Sequence, residues 1–224
     1  MQDADGWVEQ AAAAAHKLLT PRSNMSYRQV MGRPKQFDEG TAIAQAMEVF
    51  WTNGYAGSSP AELAEAAGIG KGSLYHAFGS KRELFGRALD AYDRGGAELA
   101  EEFLAGPGTT KECIRAFLAM LVDADFDGPV RRGCLAVNTA LELGGRDADA
   151  ALAVRRMTDR SAGLLAARIE RGKLEGDVPS SVDAGAQARF LMTALAGLRV
   201  MARAYDREAV LEVVDTTVAT VFEH

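Results

Sequence analysis

Residues 68–85 read GIGKGSLYHAFGSKRELF, and how this stretch is understood decides the fold. Three glycines alternate around Lys71, Ser73 follows, and a second Ser-Lys pair stands at 80–81. Such clustering suits either a loop that cradles a nucleotide phosphate or a grip on a longer polyanion. A P-loop needs GxxxxGK followed at once by Ser or Thr, between a strand and a helix. Here Gly72 follows Gly70-Lys71, Glu65 stands where the first glycine is required, and the preceding segment is helical. A dinucleotide fingerprint would begin at Gly68 and Gly70, but its third glycine position holds Ser73. Neither pattern is met.

The flanking residues give the stretch a different sense. Ser59-Pro60-Ala61-Glu62 supplies a capping serine, a proline suited to the first helical position and a glutamate that closes a capping box. This predicts a short helix over 60–67 that ends at Gly68, with a second short helix over 71–78. Two helices joined by a tight glycine-bearing turn form a helix-turn-helix, whose second helix enters the major groove of DNA. Its leading end carries Lys71, Gly72 and Ser73: lysine donates to guanine edges or phosphate, serine pairs with either, and glycine permits close approach. Tyr75 and His76, a turn later, are placed to reach phosphates. Lys81 adds charge beside the next helix N-terminus, which already favours anions. Leu63, Ala64, Ala67, Ile69, Leu74 and Phe78 are the expected small core between these helices.

Outward from there the spacing stays helical. Ile43, Ala46, Met47, Val49 and Phe50 repeat at three and four within 38–53, and Gly54 is expected to stop that helix. Ser80-Lys81-Arg82-Glu83 opens a long helix toward Leu104, which Gly95-Gly96 is expected to weaken or bend. Gly106-Pro107-Gly108 is the clearest break, Thr109 to Glu112 restarts a helix, and Gly133-Cys134-Leu135 leads a run to Leu143. Two long helices are expected over 183–205 and 207–222. They are too apolar for helices with one face in water, so burial on two sides is expected, one toward the core and one toward a partner. No useful strand alternation occurs. The fold class is all-α.

The chain of 224 residues is 48% hydrophobic and 25% charged, with a net charge of −6. No run approaches the roughly 18 apolar residues of a membrane span, so no membrane role is expected. Acids precede the Ala11–Ala15 run, which argues against a secretory signal, and two cysteines are too few for a disulfide framework. The expected compartment is the cytoplasm. Between Gln10 and Phe37 stand five basic residues and no acid, a basic arm on an acidic body that points weakly to nucleic acid.

From GRPKQFDEG through GYAGSSPAELAEAAGIGKGSLYHAFGSKRELF, residues 32–85 resemble the DNA-binding domain of the TetR family of bacterial transcriptional regulators. The resemblance implies an N-terminal three-helix DNA-binding domain over 32–80 and a larger helical effector-binding and dimerisation domain over 81–224. Residues 1–31 are then an N-terminal extension, partly basic, either a disordered arm that contacts DNA or the product of an upstream start. It implies a homodimeric repressor on a near-palindromic double-stranded operator, released by a small-molecule effector or by thiol modification. Ser58, where relatives carry threonine, and Ser59 join Lys71, Gly72, Ser73, Tyr75, His76 and Lys81 as DNA-binding candidates. Gly70 stands where relatives carry a capping Ser or Thr. The two C-terminal helices, which form the dimer interface in relatives, place Leu191, Leu195, Leu198, Val214, Val218 and Val221 there.

In the effector half, Cys134 follows Arg131, Arg132 and Gly133 at an expected helix start, a setting that makes a thiol reactive. Some TetR branches with a similar Gly-Cys-Leu segment sense electrophiles, oxidants or metal; the alternative is a small buried hydrophobe. Phe117, Met120, Leu121, Phe126, Leu141 and Met157 suit a ligand cavity or a plain helical core. Cys113 reads as core, and Arg155, Arg156 and Arg160 as a solvated face. His16, His76 and His224 are scattered, so neither a metal nor a cofactor is expected. The absence of any nucleophile–base or paired-carboxylate signature speaks against an enzyme. The remaining alternative is a DNA-binding regulator without an effector.

Overall fold

The computed structural model describes residues 37–222, and among these it contains nine helices and no strand. The basic arm and the extension over 1–31 lie outside the described residues. The helices are α1 (Glu39–Gly57), α2 (Pro60–Ala66), α3 (Lys71–Phe78), α4 (Lys81–Leu104) and α5 (Thr110–Asp123). They continue as α6 (Leu135–Leu143), α7 (Ala148–Glu175), α8 (Ala184–Met201) and α9 (Arg207–Phe222).

Side-chain caps start most of them. Asp38 Oδ1 accepts the Thr41 N–H at 2.6 Å ahead of α1, and Asp147 and Asp183 do the same for α7 and α8. Full capping boxes close at Ser59 with Glu62 and at Thr109 with Glu112. Each such cap is worth about 1 kcal/mol relative to alanine.

Two hydrophobic clusters organise the molecule. The first gathers Phe50, Leu63, Leu74, Phe78, Leu84 and Phe85 from α1 to α4, with Phe50 and Phe85 meeting edge to face at 4.9 Å. Leu135 of α6 and Met157 of α7 complete it. The second is built by α4, α5, α7, α8 and α9 around Phe103, Ile114, Leu118, Ile169, Leu191 and Val214. α4 belongs to both, its residues 84–89 facing the first cluster and 99–104 the second. Full burial of each Leu or Phe contributes about 1.5–3 kcal/mol of transfer free energy, so α4 is anchored at both ends.

Several expectations change. The Gly95-Gly96 pair does not interrupt α4, because Ala97, Leu99 and Ala100 continue its buried stripe. α7, at 28 residues the longest helix described, was not anticipated. Leu191, Leu195, Leu198, Val214, Val218 and Val221, expected at a dimer interface, all lie in the second core. They are the inward face of α8 and α9. The outward faces carry Phe190, Val200 and Met201 on α8 and Val213 on α9, at 40–52% exposure.

Candidate nucleic-acid interface

The corner between α2 and α3 is rigid for a definable reason. The Gly68 N–H donates to Glu65 O and the Ile69 N–H to Ala64 O, both at 3.0 Å. This is the paired bonding of a Schellman motif, and Gly68 supplies its left-handed residue with φ of 65°. Gly70 then caps α3 in an extended conformation without a side-chain bond, and the Leu74 N–H closes on its carbonyl at 3.0 Å. Leu74 and Phe78 are buried on one face of α3, Phe78 against the Phe37 ring at 6.0 Å. That packing turns the opposite face outward.

On the outward face Lys71, Gly72, Ser73 and His76 are exposed and Tyr75 is half-buried. No bond within the described residues engages the Lys71, Ser73 or His76 side chains. The arrangement offers an ammonium, a hydroxyl and an imidazole from the first two turns of a helix, beside a backbone with no side chain at 72. Such a surface can donate to phosphate oxygens and base edges. Lys81, at the first turn of α4, holds its ammonium 4.4 Å from the centre of the Tyr55 ring, an attraction that positions the charge without neutralising it.

The two serines before α2 differ. Ser59 is a cap, its Oγ accepting the Glu62 N–H at 3.2 Å while its own N–H donates to Glu62 Oε2 at 2.7 Å. Ser58 is only 1% exposed, and its hydroxyl donates to Gly54 O at 2.6 Å. The DNA contact expected of Ser58 is therefore corrected: it braces the end of α1.

The expected effector residues do not form one group. Phe117, Met120 and Leu121 pack in or against the second core, whereas Met157 belongs to the first. Leu141 is 77% exposed, because α6 turns Leu135 and Thr139 inward and its opposite face to solvent. Leu141 is thus corrected from cavity lining to surface. Cys113 is buried, as its helical setting suggested.

Around Cys134 the structure builds a polar cluster that the sequence did not signal. Cys134 is the N-cap residue of α6, half-buried, and its Sγ accepts from the Tyr92 hydroxyl at 3.4 Å. The neighbouring Gly133 carbonyl accepts the Trp51 indole N–H from α1 at 2.9 Å and the Arg199 guanidinium from α8 at 3.0 Å. Arg199 also forms a two-pronged pair with Asp125, at 2.5 and 2.8 Å. Arg132 lies 4.2 Å from the centre of the Trp51 ring and pairs with Glu48.

Burial pushes the Tyr92 phenol well above its usual range, and the adjacent Cys134 adds to that. Burial likewise raises the Asp125 carboxyl, with Arg199 opposing it. For Arg199 burial works against the charge, but Tyr92, Asp125 and Cys134 outweigh it and hold the guanidinium protonated.

A helix-turn-helix with an open basic first turn on its second helix defines a DNA-binding protein, fused here to a larger helical body. Residues 42–88 match the family model of bacterial regulatory proteins of the tetR family, and residues 110–218 match the tetracyclin repressor-like C-terminal domain. The chain is 34% identical over 178 residues to an uncharacterized HTH-type transcriptional regulator, YezE of Bacillus subtilis, spanning 77% of this chain and 90% of YezE. It is 26% identical over 197 residues to the HTH-type transcriptional repressor ComR of Escherichia coli, spanning 87% and 94%. Among solved structures, a cysteine mutant of the TetR family regulator CifR, complexed with 26-bp double-strand operator DNA, superposes with a TM-score of 0.77. The two are 35% identical, over 85% of this chain and all of that one. The chain belongs to the TetR family of bacterial transcriptional regulators.

Proposed function

We propose that two copies of this chain form a repressor that sets α3 of each subunit into successive major grooves of a near-palindromic operator. Residues 32–80 are the reading unit and 81–224 the effector and dimerisation unit. Lys71, Gly72 and Ser73 face the base edges, with the Lys71 ammonium also in reach of a flanking phosphate; Ser59, Tyr75, His76 and Lys81 face the backbone. The observation that carries this is the open first turn of α3 on a corner fixed by the Gly68 turn. The resemblance of CifR, solved with operator DNA, supports it.

The partner copy docks on the outward faces of α8 and α9, where Phe190, Val200, Met201 and Val213 leave apolar surface in water. Release follows when a small molecule enters the helical body or when the Cys134 thiol is modified, because Cys134 adjoins the carbonyl that ties α1 to α8. The regulator acts in the cytoplasm by binding DNA and not by catalysis; no helix among the described residues is long and apolar enough to cross a membrane.

A gel-shift against the gene's own upstream region tests the proposal. A discrete complex that resists nonspecific competitor is expected, and its absence there and from a genomic pool overturns it. Complete alkylation of Cys134 without loss of operator affinity overturns the thiol route alone.

A further inference from the structure

α1 is broken at Gly54, where φ is 74° and ψ is 173°, and a last turn resumes at Tyr55. The break takes the Tyr55 and Ala56 N–H groups out of the helical ladder, the first half-buried and the second at an exposed residue. One side chain accepts both. The Glu142 carboxylate, on the last turn of α6, receives the Tyr55 N–H at 2.8 Å and the Ala56 N–H at 2.6 Å. A side chain at residue 54 would place its Cβ 2.8 Å from that carboxylate and push Glu142 off the two amides, and the φ of 74° itself favours glycine there.

We infer that Glu142 is a positioning residue for DNA reading, the clamp by which α6 of the effector half sets the angle of the helix-turn-helix. The inference rests on the regulator reading above.

Only Ser58 and Ser59 separate the end of α1 from α2, so no flexible linker lies between the clamped turn and the helix-turn-helix. Ser58 locks the turn from the other side through Gly54 O, and the Tyr55 ring is held between Lys81 and Phe85, the latter at 5.0 Å. An angular change at residues 54–56 therefore passes through α2 and the rigid Gly68 corner to α3. At the opposite end of α6, the Gly133 carbonyl is bound by Trp51 and Arg199. A nine-residue helix thus grips α1 at both of its ends. A charged acceptor suits the role, since charge-assisted bonds are short and directional.

The test uses full-length protein as wild type, Glu142→Ala and Glu142→Gln. One readout is amide exchange at Tyr55 and Ala56. The other is affinity for a duplex carrying the site footprinted in the upstream region, and for the same duplex with one base pair inserted between half-sites. That insertion rotates one half-site by about 35° against the other. Both variants are expected to speed exchange at the two amides. In Glu142→Ala, affinity for the native spacing is expected to fall about tenfold, the scale of a lost charge-assisted bond. The penalty for the inserted base pair should shrink, because a loosened head tolerates misplacement. Glu142→Gln retains one acceptor oxygen and should fall between.

An unchanged spacing penalty in Glu142→Ala overturns the inference, whether affinity is unaltered or falls equally on both duplexes. Unchanged exchange at Tyr55 and Ala56 overturns it as well. Wild type without specific binding to any duplex overturns the regulator reading, and the positioning role with it.

Discussion

Trp51 on α1 and Arg199 on α8 donate to one acceptor, the carbonyl of Gly133, at 2.9 and 3.0 Å. A residue of the DNA-binding half and a residue of the C-terminal body are thereby held through a single oxygen. Arg199 is also the ion-pair partner of the buried Asp125 carboxylate, which the Gly133 N–H helps to stabilise. Replacing Arg199 by Met leaves that acid buried without its counter-charge, and should cost about 3–5 kcal/mol of stability. Adding Asp125→Leu should recover much of the loss, since a buried pair replaced by apolar residues is often near neutral. Urea unfolding of the single and double variants measures both; equal stabilities for wild type and Arg199→Met would contradict the pairing.

Ser58 and Ser59 should separate in assay. Ser58→Ala removes the donor to Gly54 O in a buried setting, with an expected loss of about 1–2 kcal/mol. Ser59→Ala removes the α2 cap, with an expected loss of about 1 kcal/mol. Ser59→Ala should in addition weaken DNA binding, since its half-exposed hydroxyl can reach the backbone, whereas Ser58→Ala at matched folded fraction should not do so by any lost contact. Thermal melts and operator titrations on the same samples check this.

Acid should undo the caps in a particular window. Asp38, Glu62, Glu112 and Asp183 are each depressed below their ordinary values of 3.8 or 4.5, because their carboxylates accept backbone N–H groups. A depressed folded-state value means the stabilisation is complete above the ordinary value and is lost as pH falls through the depressed one. The Tm of wild type should fall as pH drops below the ordinary carboxylate values and on through the depressed ones, and a Glu62→Gln, Glu112→Gln double variant should show a shallower fall. An equally steep fall in the variant would contradict the assignment.

Much of this was legible in the sequence because local signals agreed. Ser59-Pro60-Ala61-Glu62 and Gly68 placed α2 and its end, and α3 was read over 71–78 as found. The long-range parts carried no such signal. α7 escaped because its buried stripe is thin: Ala150, Met157, Leu165 and Ile169 are spread over twenty residues among many exposed charges. Periodicity marks the apolar residues of α8 and α9 as buried, but it shows a face and not what covers it, and the cover is the chain's own second core. In the sequence Gly54 signals only a stop. That Glu142, nearly ninety residues on, accepts the amides it frees is a tertiary fact with no local mark.

The decisive measurement is the affinity of wild type and Lys71→Ala for the upstream operator across a series of salt concentrations, with thermal melts to confirm equal folding. Specific binding by wild type is predicted, with weaker binding by Lys71→Ala and a salt slope reduced by about 1, as for the loss of one phosphate-directed charge. A folded Lys71→Ala protein with wild-type affinity and slope would contradict it.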